Sequence, residues 1–369
     1  MTSTIDTTTA TTAPVDTAPI DTDKLMGFVF KAVDEVGAAL GAALVVVGDK
    51  LGYYRDLAEH GATSPSELAA RTATAEPYAR EWLAAQAAGA YLEYDPASGT
   101  YTLPAEHAIA LTVEDSPAFL PGLFQLALGT LHDTEHIVEA ARNGAGYGWG
   151  EHGSDVHLGC ERFFRPGYHA NLVSTWLPAL QDVVPKLETG ALVADVGCGH
   201  GASTILMAKA FPRSRFLGSD VHAASIEIAR ERAAEAGVAD QVTFEVASAQ
   251  TFSGDGYHLV TMFDCLHDMG DPVGAARRVR DAVAEDGTWM VVEPRAADRL
   301  EDNLNPVGRV YYGFSTLLCT PNSLSQDVGL ALGTQAGPAR IRDVTTAGGF
   351  SGFRTVAETP FNLVFEVTP

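Results

Sequence analysis

The sequence predicts an α/β fold with a mostly parallel sheet, preceded by a mainly helical region. Residues 190–369 alternate strand-like and helix-like segments, which is the pattern of a parallel sheet covered by helices. Residues 23–104 instead hold helical segments with capping signals, followed by a hairpin. The chain has 369 residues, of which 46% are hydrophobic, and this is enough for the cores of two or three domains.

The N-terminal helical region has the element order of a winged helix, expected over 23–110. Its expected elements are a helix from Lys24 capped by Asp23, helices over 37–60, 67–71 and 76–88, and two short strands around the turn 95–99. The helix over 67–71 follows Ser64-Pro65-Ser66-Glu67, which has the residues of a capping box.

Two other segments flank this domain. Residues 1–22 are rich in Thr and Ala and contain no Lys or Arg, so we expect a disordered tail and no targeting signal. Residues 111–189 are expected to form a helical linker that covers a ligand site. Its predicted elements are helices over 117–143 and 165–186, separated by a Gly-rich loop at 144–153.

The third domain is expected over 190–369. Its expected strands are 192–196, 215–220, 242–247, 259–263 and 288–292, with helices over 202–210, 223–236 and 273–284. The strands 352–358 and 361–367 have no helix between them, so we expect them to pair antiparallel at the end of the sheet.

Charge and cysteine content exclude several classes of function. Lys plus Arg is 24 against 47 for Asp plus Glu, which opposes nucleic-acid partners and anionic membranes. The winged-helix segment 61–103 has only Arg71 and Arg80 as basic residues, so DNA contact is not expected. The four cysteines are far apart and form no CxxC motif, which favours a reducing, cytoplasmic location.

The strongest motif is Asp195-Val-Gly197-Cys-Gly199-His-Gly201, which follows the first strand of the third domain. Glycines at such a turn let the backbone approach a ligand closely. Asp220 ends the second strand, where a carboxylate can accept both ribose hydroxyls of an adenosine. The spacing differs from the G-x-G-x-x-G of dinucleotide binders. It indicates an adenosyl ligand without a pyrophosphate, with a nicotinamide cofactor or glycines used only for packing as alternatives.

At these residues the sequence resembles the class I S-adenosylmethionine (SAM)-dependent methyltransferases, which implies a Rossmann-like domain that binds SAM and releases S-adenosylhomocysteine (SAH). The resemblance implies that Asp195 contacts the methionyl end of SAM and that Asp220 binds its ribose. Ser248 stands where the family often has an Asp that reads adenine. The other implied cofactor contacts are Gly197, Gly199, Gly201, Val221, Ala249, Phe263, Asp264 and Tyr168.

The resemblance extends over 24–369 to the plant phenolic O-methyltransferases, and more closely to actinobacterial winged-helix methyltransferases of small molecules. The segment 263–272 is similar to the family's His-Asp segment, which implies that His267 is the general base. A neutral imidazole can take a proton from a phenol as the methyl group arrives. Asp268 is expected to orient the imidazole or to cap a helix, and Glu293 to orient the substrate or the base.

Aromatic segments outside the glycine motif are candidates for binding the acceptor. Trp149 and His152 lie in the Gly-rich loop, where aromatics beside a His and a carboxylate suit a substrate pocket. Tyr311, Tyr312 and Asn322 lie in an insertion after the fifth strand, which lines the acceptor pocket in the resembling family. An ordinary surface loop and simple core packing remain alternatives.

No metal site is expected. His132 and His136 share a helix face with Glu135 nearby, but no third ligand is evident. His267 and Asp268 could supply two ligands of an iron triad, but no histidine follows Asp268 to complete it.

The sequence therefore predicts a SAM-dependent methyltransferase of a small-molecule acceptor in specialised metabolism, with O-methylation favoured over N- or C-methylation. The alternatives are a SAM-binding enzyme that catalyses a rearrangement and a SAM-responsive winged-helix regulator. Because the resembling enzymes dimerise through this module, and 28–47 is apolar, a homodimer is expected.

Overall fold

The computed structural model of the protein describes residues 20–369, so the predicted tail over 1–22 lies almost entirely outside the described residues. The N-terminal region contains α1 (Thr22–Leu51), α2 (Tyr53–His60), α3 (Pro65–Arg71), α4 (Glu76–Ala88), β1 (Glu93–Asp95), β2 (Thr100–Thr102) and α5 (Ala105–Thr112). The antiparallel β1–β2 hairpin and the capping box of Ser64 and Glu67 confirm the winged-helix prediction.

Helix α1 differs from the prediction, because the expected break before residue 37 does not occur. Its cap is Asp21 rather than Asp23, and the Asp21 carboxylate accepts the N–H groups of Asp23 and Lys24 at 3.0 and 3.2 Å. The helix ends at Gly52, whose φ of 74° requires a residue tolerant of the left-handed region. The expected helix over 37–60 is therefore the end of α1 followed by α2.

Aromatic packing forms the core of the winged helix. The Trp82 ring meets Tyr53 and Tyr54 edge-on, at 4.9 and 5.0 Å between ring centroids. The Trp82 indole also donates to the Leu44 carbonyl at 2.8 Å, which fixes α4 against α1.

The linker contains α6 (Pro121–His132), α7 (Thr134–Asn143), α8 (Ser154–Asn171), a π-helical turn (Leu172–Trp176), α9 (Leu177–Ala179) and α10 (Val183–Thr189). The prediction that a helix begins near Arg165 was wrong, because α8 already begins at Ser154 and contains Pro166. Helices α6 and α8 approach closely at Gly159, where a Cβ would lie 2.4 Å from the Leu126 nitrogen.

The seven-stranded sheet confirms the predicted α/β fold. Its elements are β3 (Leu192–Val196), α11 (Ala202–Ala210), β4 (Arg215–Asp220), α12 (Ala223–Glu235), β5 (Val242–Val246), β6 (Tyr257–Phe263), α13 (Pro272–Ala282) and β7 (Val283–Pro294). After β7 come α14 (Pro306–Phe314), a π-helical turn (Ser315–Cys319), α15 (Thr320–Leu324), α16 (Gly337–Ala347), β8 (Gly352–Glu358) and β9 (Asn362–Thr368).

The strand order is β5-β4-β3-β6-β7-β9-β8, and β9 runs opposite to the other six strands of the sheet. The order reverses between β3 and β6, so the loops after their carboxyl ends diverge and leave a crevice. Helices α8, α14 and α15 face this edge of the sheet and close the crevice. Across the described range, no helix has the length and apolarity needed to cross a membrane.

Candidate active site

A cavity of about 440 Å³ lies at the carboxyl edge of the sheet, under the helical linker. Its volume is in the range of small-molecule sites. One half follows β3, β4 and β5 and is lined by Gly197, Cys198, Gly199, His200, Asp220, Val221, Ala247, Ser248 and Ala249. The other half is lined by Trp149, Cys160, Phe164, Tyr168, Asp264, His267, Asp268, Tyr311, Phe314, Cys319 and Asn322.

The three glycines of the predicted motif differ in what surrounds them. Gly197 and Gly199 line the cavity with φ of 76° and 51°, and a Cβ on Gly199 would meet no atom within 4 Å. The Gly199 backbone therefore faces open space, as close contact with a ligand requires. Gly201 lies outside the lining, and its Cβ would be 2.9 Å from the Phe244 ring. Gly201 therefore packs closely against Phe244, and its expected contact with the cofactor stays a prediction.

Asp195 is completely buried and does not line the cavity. Its carboxylate accepts the hydroxyls of Ser203 at 2.6 Å, Thr204 at 2.5 Å and Thr261 at 2.9 Å. Burial raises the pKa of this carboxyl group. Asp195 thus fixes the first turn of α11, from which Ser203 reaches the cavity, and its direct contact with the methionyl end of SAM stays a prediction.

Asp220 lines the cavity at the end of β4 and holds the glycine loop. Its Oδ2 accepts the Gly199 N–H at 2.9 Å, and its Oδ1 accepts the His222 N–H at 2.8 Å. Burial raises the pKa of the Asp220 carboxyl group. A carboxylate offers about four acceptor positions, so both oxygens can still accept ribose hydroxyls.

The residues predicted to contact adenine lie at the open end of the half of the cavity that follows β3, β4 and β5. Val221 is 63% exposed at the cavity mouth. Ser248 and Ala249 line the cavity after β5, and the Ser248 hydroxyl already pairs with Thr251 at 2.9 Å. An exposed apolar side chain at this mouth suits contact with a flat base.

His267 and Glu293 form a buried pair in the other half. The Nδ1 atom of His267 lies 2.6 Å from Glu293 Oε2, and Glu293 Oε1 accepts the Leu266 N–H at 3.0 Å. Burial opposes protonation of His267, but the Glu293 carboxylate and the Cys319 thiol outweigh it and raise its pKa well above the usual range. His267 lines the cavity and Glu293 does not, so Glu293 acts on a bound ligand through the imidazole.

Two further carboxyl groups, those of Asp264 and Asp268, flank His267. Asp264 has a φ of 50°, and its Oδ1 accepts the Asn362 amide at 2.8 Å. Its Oδ2 is buried and has no hydrogen-bond partner. Burial raises the pKa of Asp264 well above its ordinary value and raises that of Asp268 to about 7.

One face of α8 covers the cavity, and Tyr168 is the residue of this face that the sequence predicted. Tyr168 packs on Phe263, with ring centroids 5.0 Å apart. His157, Cys160 and Phe164 line the cavity from the same helix and were missed. Their spacing of three and four residues up to Tyr168 was a signal of one shared helix face.

The predicted substrate residues are only partly brought together. Trp149 lines the cavity. Its backbone N–H donates to Asn322 Oδ1 at 2.9 Å, which joins the Gly-rich loop to α15. Tyr311 also lines it, and its hydroxyl donates to the Phe361 carbonyl. Tyr312 lies outside the lining, and His152 is buried away from it beside Asp133, at 2.6 Å. The structure thus places His152 and Tyr312 away from the cavity lining, and their contact with a substrate stays a prediction.

The two histidines of the linker, His132 and His136, are both exposed. His136 stacks on the Tyr147 ring with centroids 4.9 Å apart. Within residues 20–369, no group of three or more His, Cys, Asp or Glu side chains has an arrangement that could hold a metal ion.

Two family profiles match the chain in the regions just described. Residues 38–113 match the Rv2258c-like winged HTH domain, and residues 194–289 match a family described as Methyltransferase domain. Together they place the winged helix and the glycine loop in known families.

Two curated relatives match parts of the chain. Trans-aconitate 2-methyltransferase of Afipia carboxidovorans is 42% identical over 116 residues, which is 31% of this chain and 43% of the relative. The 27-O-demethylrifamycin SV methyltransferase of Amycolatopsis mediterranei is 30% identical over 143 residues, or 38% of this chain and 44% of the relative. The matched segment thus spans less than half the length of these relatives.

Solved structures share the whole fold at low sequence identity. Human N-acetylserotonin methyltransferase in complex with SAM has a TM-score of 0.68 and 16% identity, covering 96% of this chain and 99% of that one. An O-methyltransferase from neocarzinostatin biosynthesis, in complex with SAM and 2-hydroxy-5-methyl naphthoic acid, has a TM-score of 0.58 and 17% identity. It covers 89% of this chain and 95% of the other.

The chain thus contains a methyltransferase domain preceded by an Rv2258c-like winged HTH domain. Its fold is that of solved SAM-dependent methyltransferases, one of which is in complex with SAM. The residues present fit this cofactor. The open face of Gly199 admits a ligand, Asp220 offers a ribose acceptor, and the buried His200 Nδ1 lacks a partner.

Proposed function

We propose that the protein methylates a small-molecule acceptor, with a hydroxyl oxygen as the favoured target. Bound SAM would supply an electrophilic methyl group on its sulfonium. The observation that supports this function is one continuous cavity that joins the glycine loop and Asp220 to His267. Holding the two reactants in line within it lowers the entropic cost of their encounter.

His267 is the proposed general base. Its Nδ1 is held by Glu293 at 2.6 Å and its ring lines the cavity, which leaves Nε2 as the nitrogen of the proposed base. That nitrogen can take the acceptor proton when the imidazole is neutral. Glu293 is the positioning residue, because it fixes the ring orientation and stabilises the imidazolium that forms.

The cofactor half is proposed to bind SAM through the Gly197 and Gly199 backbone, with Asp220 on the ribose. Val221, Ser248 and Ala249 would surround adenine. Phe263 and Tyr168, whose rings are 5.0 Å apart, would cover the reacting end. Domain boundaries at 23–110, 111–189 and 190–369 and a cytoplasmic location also remain proposals.

The test is incubation of the protein with methyl-labelled SAM and a metabolite extract, followed by mass spectrometry of the products. A labelled small molecule is the expected result, and its structure identifies the acceptor atom. SAM binding without labelled product would favour the non-transferring rearrangement, and then duplex-DNA binding would be measured for the regulator.

A homodimer is proposed from the surface of α1. Its N-terminal half exposes Leu25, Met26, Phe28, Val29, Phe30, Val33, Val36 and Leu40. Contiguous apolar surface of this kind marks an interaction site. Light scattering should give twice the mass of one 38.9 kDa chain.

A further inference from the structure

The charges around the cavity indicate which class of acceptor it takes, an inference that depends on the proposed methyltransferase function. Four carboxyl groups line the cavity, those of Glu161, Asp220, Asp264 and Asp268. Among residues 20–369, no Lys or Arg contributes to the lining. A ligand with a carboxylate or phosphate would therefore enter an acidic site that offers it no cationic partner.

Two of the four carboxyl groups already have partners. Glu161 pairs with Arg232 at 2.8 Å and with Arg165 at 3.2 Å, both outside the lining. Asp220 accepts the N–H groups of Gly199 and His222 and belongs to the cofactor half. Neither carboxyl group is therefore available to pair with the acceptor.

The other two carboxyl groups, those of Asp264 and Asp268, line the cavity with His267 as a neighbour of both. Asp264 Oδ1 accepts the Asn362 amide, but its Oδ2 is buried and unpartnered. A buried acceptor without a donor is unfavourable, so the Asp264 carboxyl group favours a ligand that brings a donor to the cavity. Asp268 lines the same part of the cavity, and burial raises its pKa to about 7 against the opposing effects of His267 and Asn322.

The imidazole of His267 does not change this balance. Its Nδ1 lies 2.6 Å from the Glu293 carboxylate, so a positive charge on the ring is already matched by a buried negative one. An acidic acceptor would have to compete with Glu293 for that charge.

We propose that the acceptor carries a protonated amine, which pairs with the Asp264 and Asp268 carboxyl groups of the cavity lining. Its positive charge would stabilise their ionised forms, which burial disfavours in the free site. The aromatic rings of Trp149, Phe164 and Phe314, which line the same cavity, hold its planar apolar body. Charge complementarity of this kind both attracts the amine and rejects acids, because a like charge in a desolvated site is penalised.

The test compares three naphthalene probes that differ only in one substituent: aminomethyl, hydroxymethyl or carboxylate. Binding to the SAH complex is measured by calorimetry. The aminomethyl probe is expected to bind at least about tenfold tighter than the carboxylate, as a buried charge pair allows. Asp264→Asn, which keeps the shape and removes the charge, should reduce that preference to about threefold or less. Asp240→Asn, at an exposed acid, should keep it.

Equal or tighter binding of the carboxylate overturns the inference, as does no binding of the amine at millimolar concentration. If Asp264→Asn does not fold, the wild-type comparison decides, and Asp268→Asn supplies the second variant. Failure to bind SAH would contradict the proposed function itself. A protein that binds SAH but prefers the carboxylate contradicts only the acceptor class.

Discussion

At the scale of single residues, the buried His267–Glu293 pair governs the proposed chemistry. His267 is 3% exposed and contacts Glu293 rather than the glycine loop. His267→Ala should therefore keep the affinity for SAH while lowering turnover by about 10²–10⁴-fold. Calorimetry and a turnover assay measure the two effects, with the exposed His169→Ala as matched control. Near-normal turnover would mean that alignment alone, or another base, carries the reaction.

The pH profile tests the role of Glu293. Because the pKa of His267 is raised, the imidazole is protonated at low pH, and kcat/KM should rise as the pH passes a midpoint above 6.5. In Glu293→Gln the carboxylate no longer stabilises the imidazolium while burial still opposes it, so the midpoint should fall. The maximal rate should fall as well, since the ring loses its anchor. A midpoint identical to that of the wild type would exclude Glu293 as the positioning residue.

Asp220 tests the placement of the cofactor. Asp220→Ala removes the acceptor of the Gly199 N–H and the proposed ribose acceptor together. Hydrogen bonds to charged groups contribute about 1.5–3 kcal/mol each, so SAH affinity should fall by about 10–100-fold or more. Calorimetry measures this, and Asp240→Ala at an exposed position is the control. Unchanged affinity would show that SAM binds elsewhere.

At the scale of elements, the turn between β3 and α11 depends on close packing as well as on backbone freedom. Gly201 and Gly237 have similar φ values of 76° and 72°, but only Gly201 would place a Cβ near other atoms, 2.9 Å from Phe244. Both substitutions to Ala carry backbone strain of about 1–3 kcal/mol. Gly201→Ala should lose about a further 1–3 kcal/mol from overpacking.

Denaturant unfolding of the two glycine variants separates strain from packing, because the strain is common to both. Equal losses of stability would contradict a packing role for Gly201. A selective loss of SAM affinity in Gly201→Ala at unchanged stability would instead support its predicted contact with the cofactor.

At the scale of the whole molecule, the exposed apolar half of α1 is the feature that the folded chain leaves uncovered. Phe28 is 67% exposed and Val33 is 61% exposed. The double variant Phe28→Asp, Val33→Asp should convert the proposed dimer into a 38.9 kDa monomer in light scattering, because two charges cannot be buried unpaired. Tyr78→Asp, at a residue 78% exposed on α4, should leave the mass unchanged. A wild-type protein that is already monomeric at micromolar concentration would contradict the proposal.

The sequence by itself determined the fold class and the cofactor loop. Strands β3 and β4 and helices α4 and α11 have the predicted bounds, because periodicity, capping and glycine turns are local properties. The same local signals misplaced the start of α8, since tertiary packing keeps Pro166 inside a helix.

Only the tertiary structure decided which side chains meet. The four cysteines are far apart in sequence, yet all of them line one cavity. Asp195 and His152 resemble site residues in the sequence but are turned into the core, whereas His157 and Cys160 reach the cavity from α8. The direction of a side chain depends on how elements that are far apart in the sequence pack together. The local pattern of a sequence does not reveal that packing.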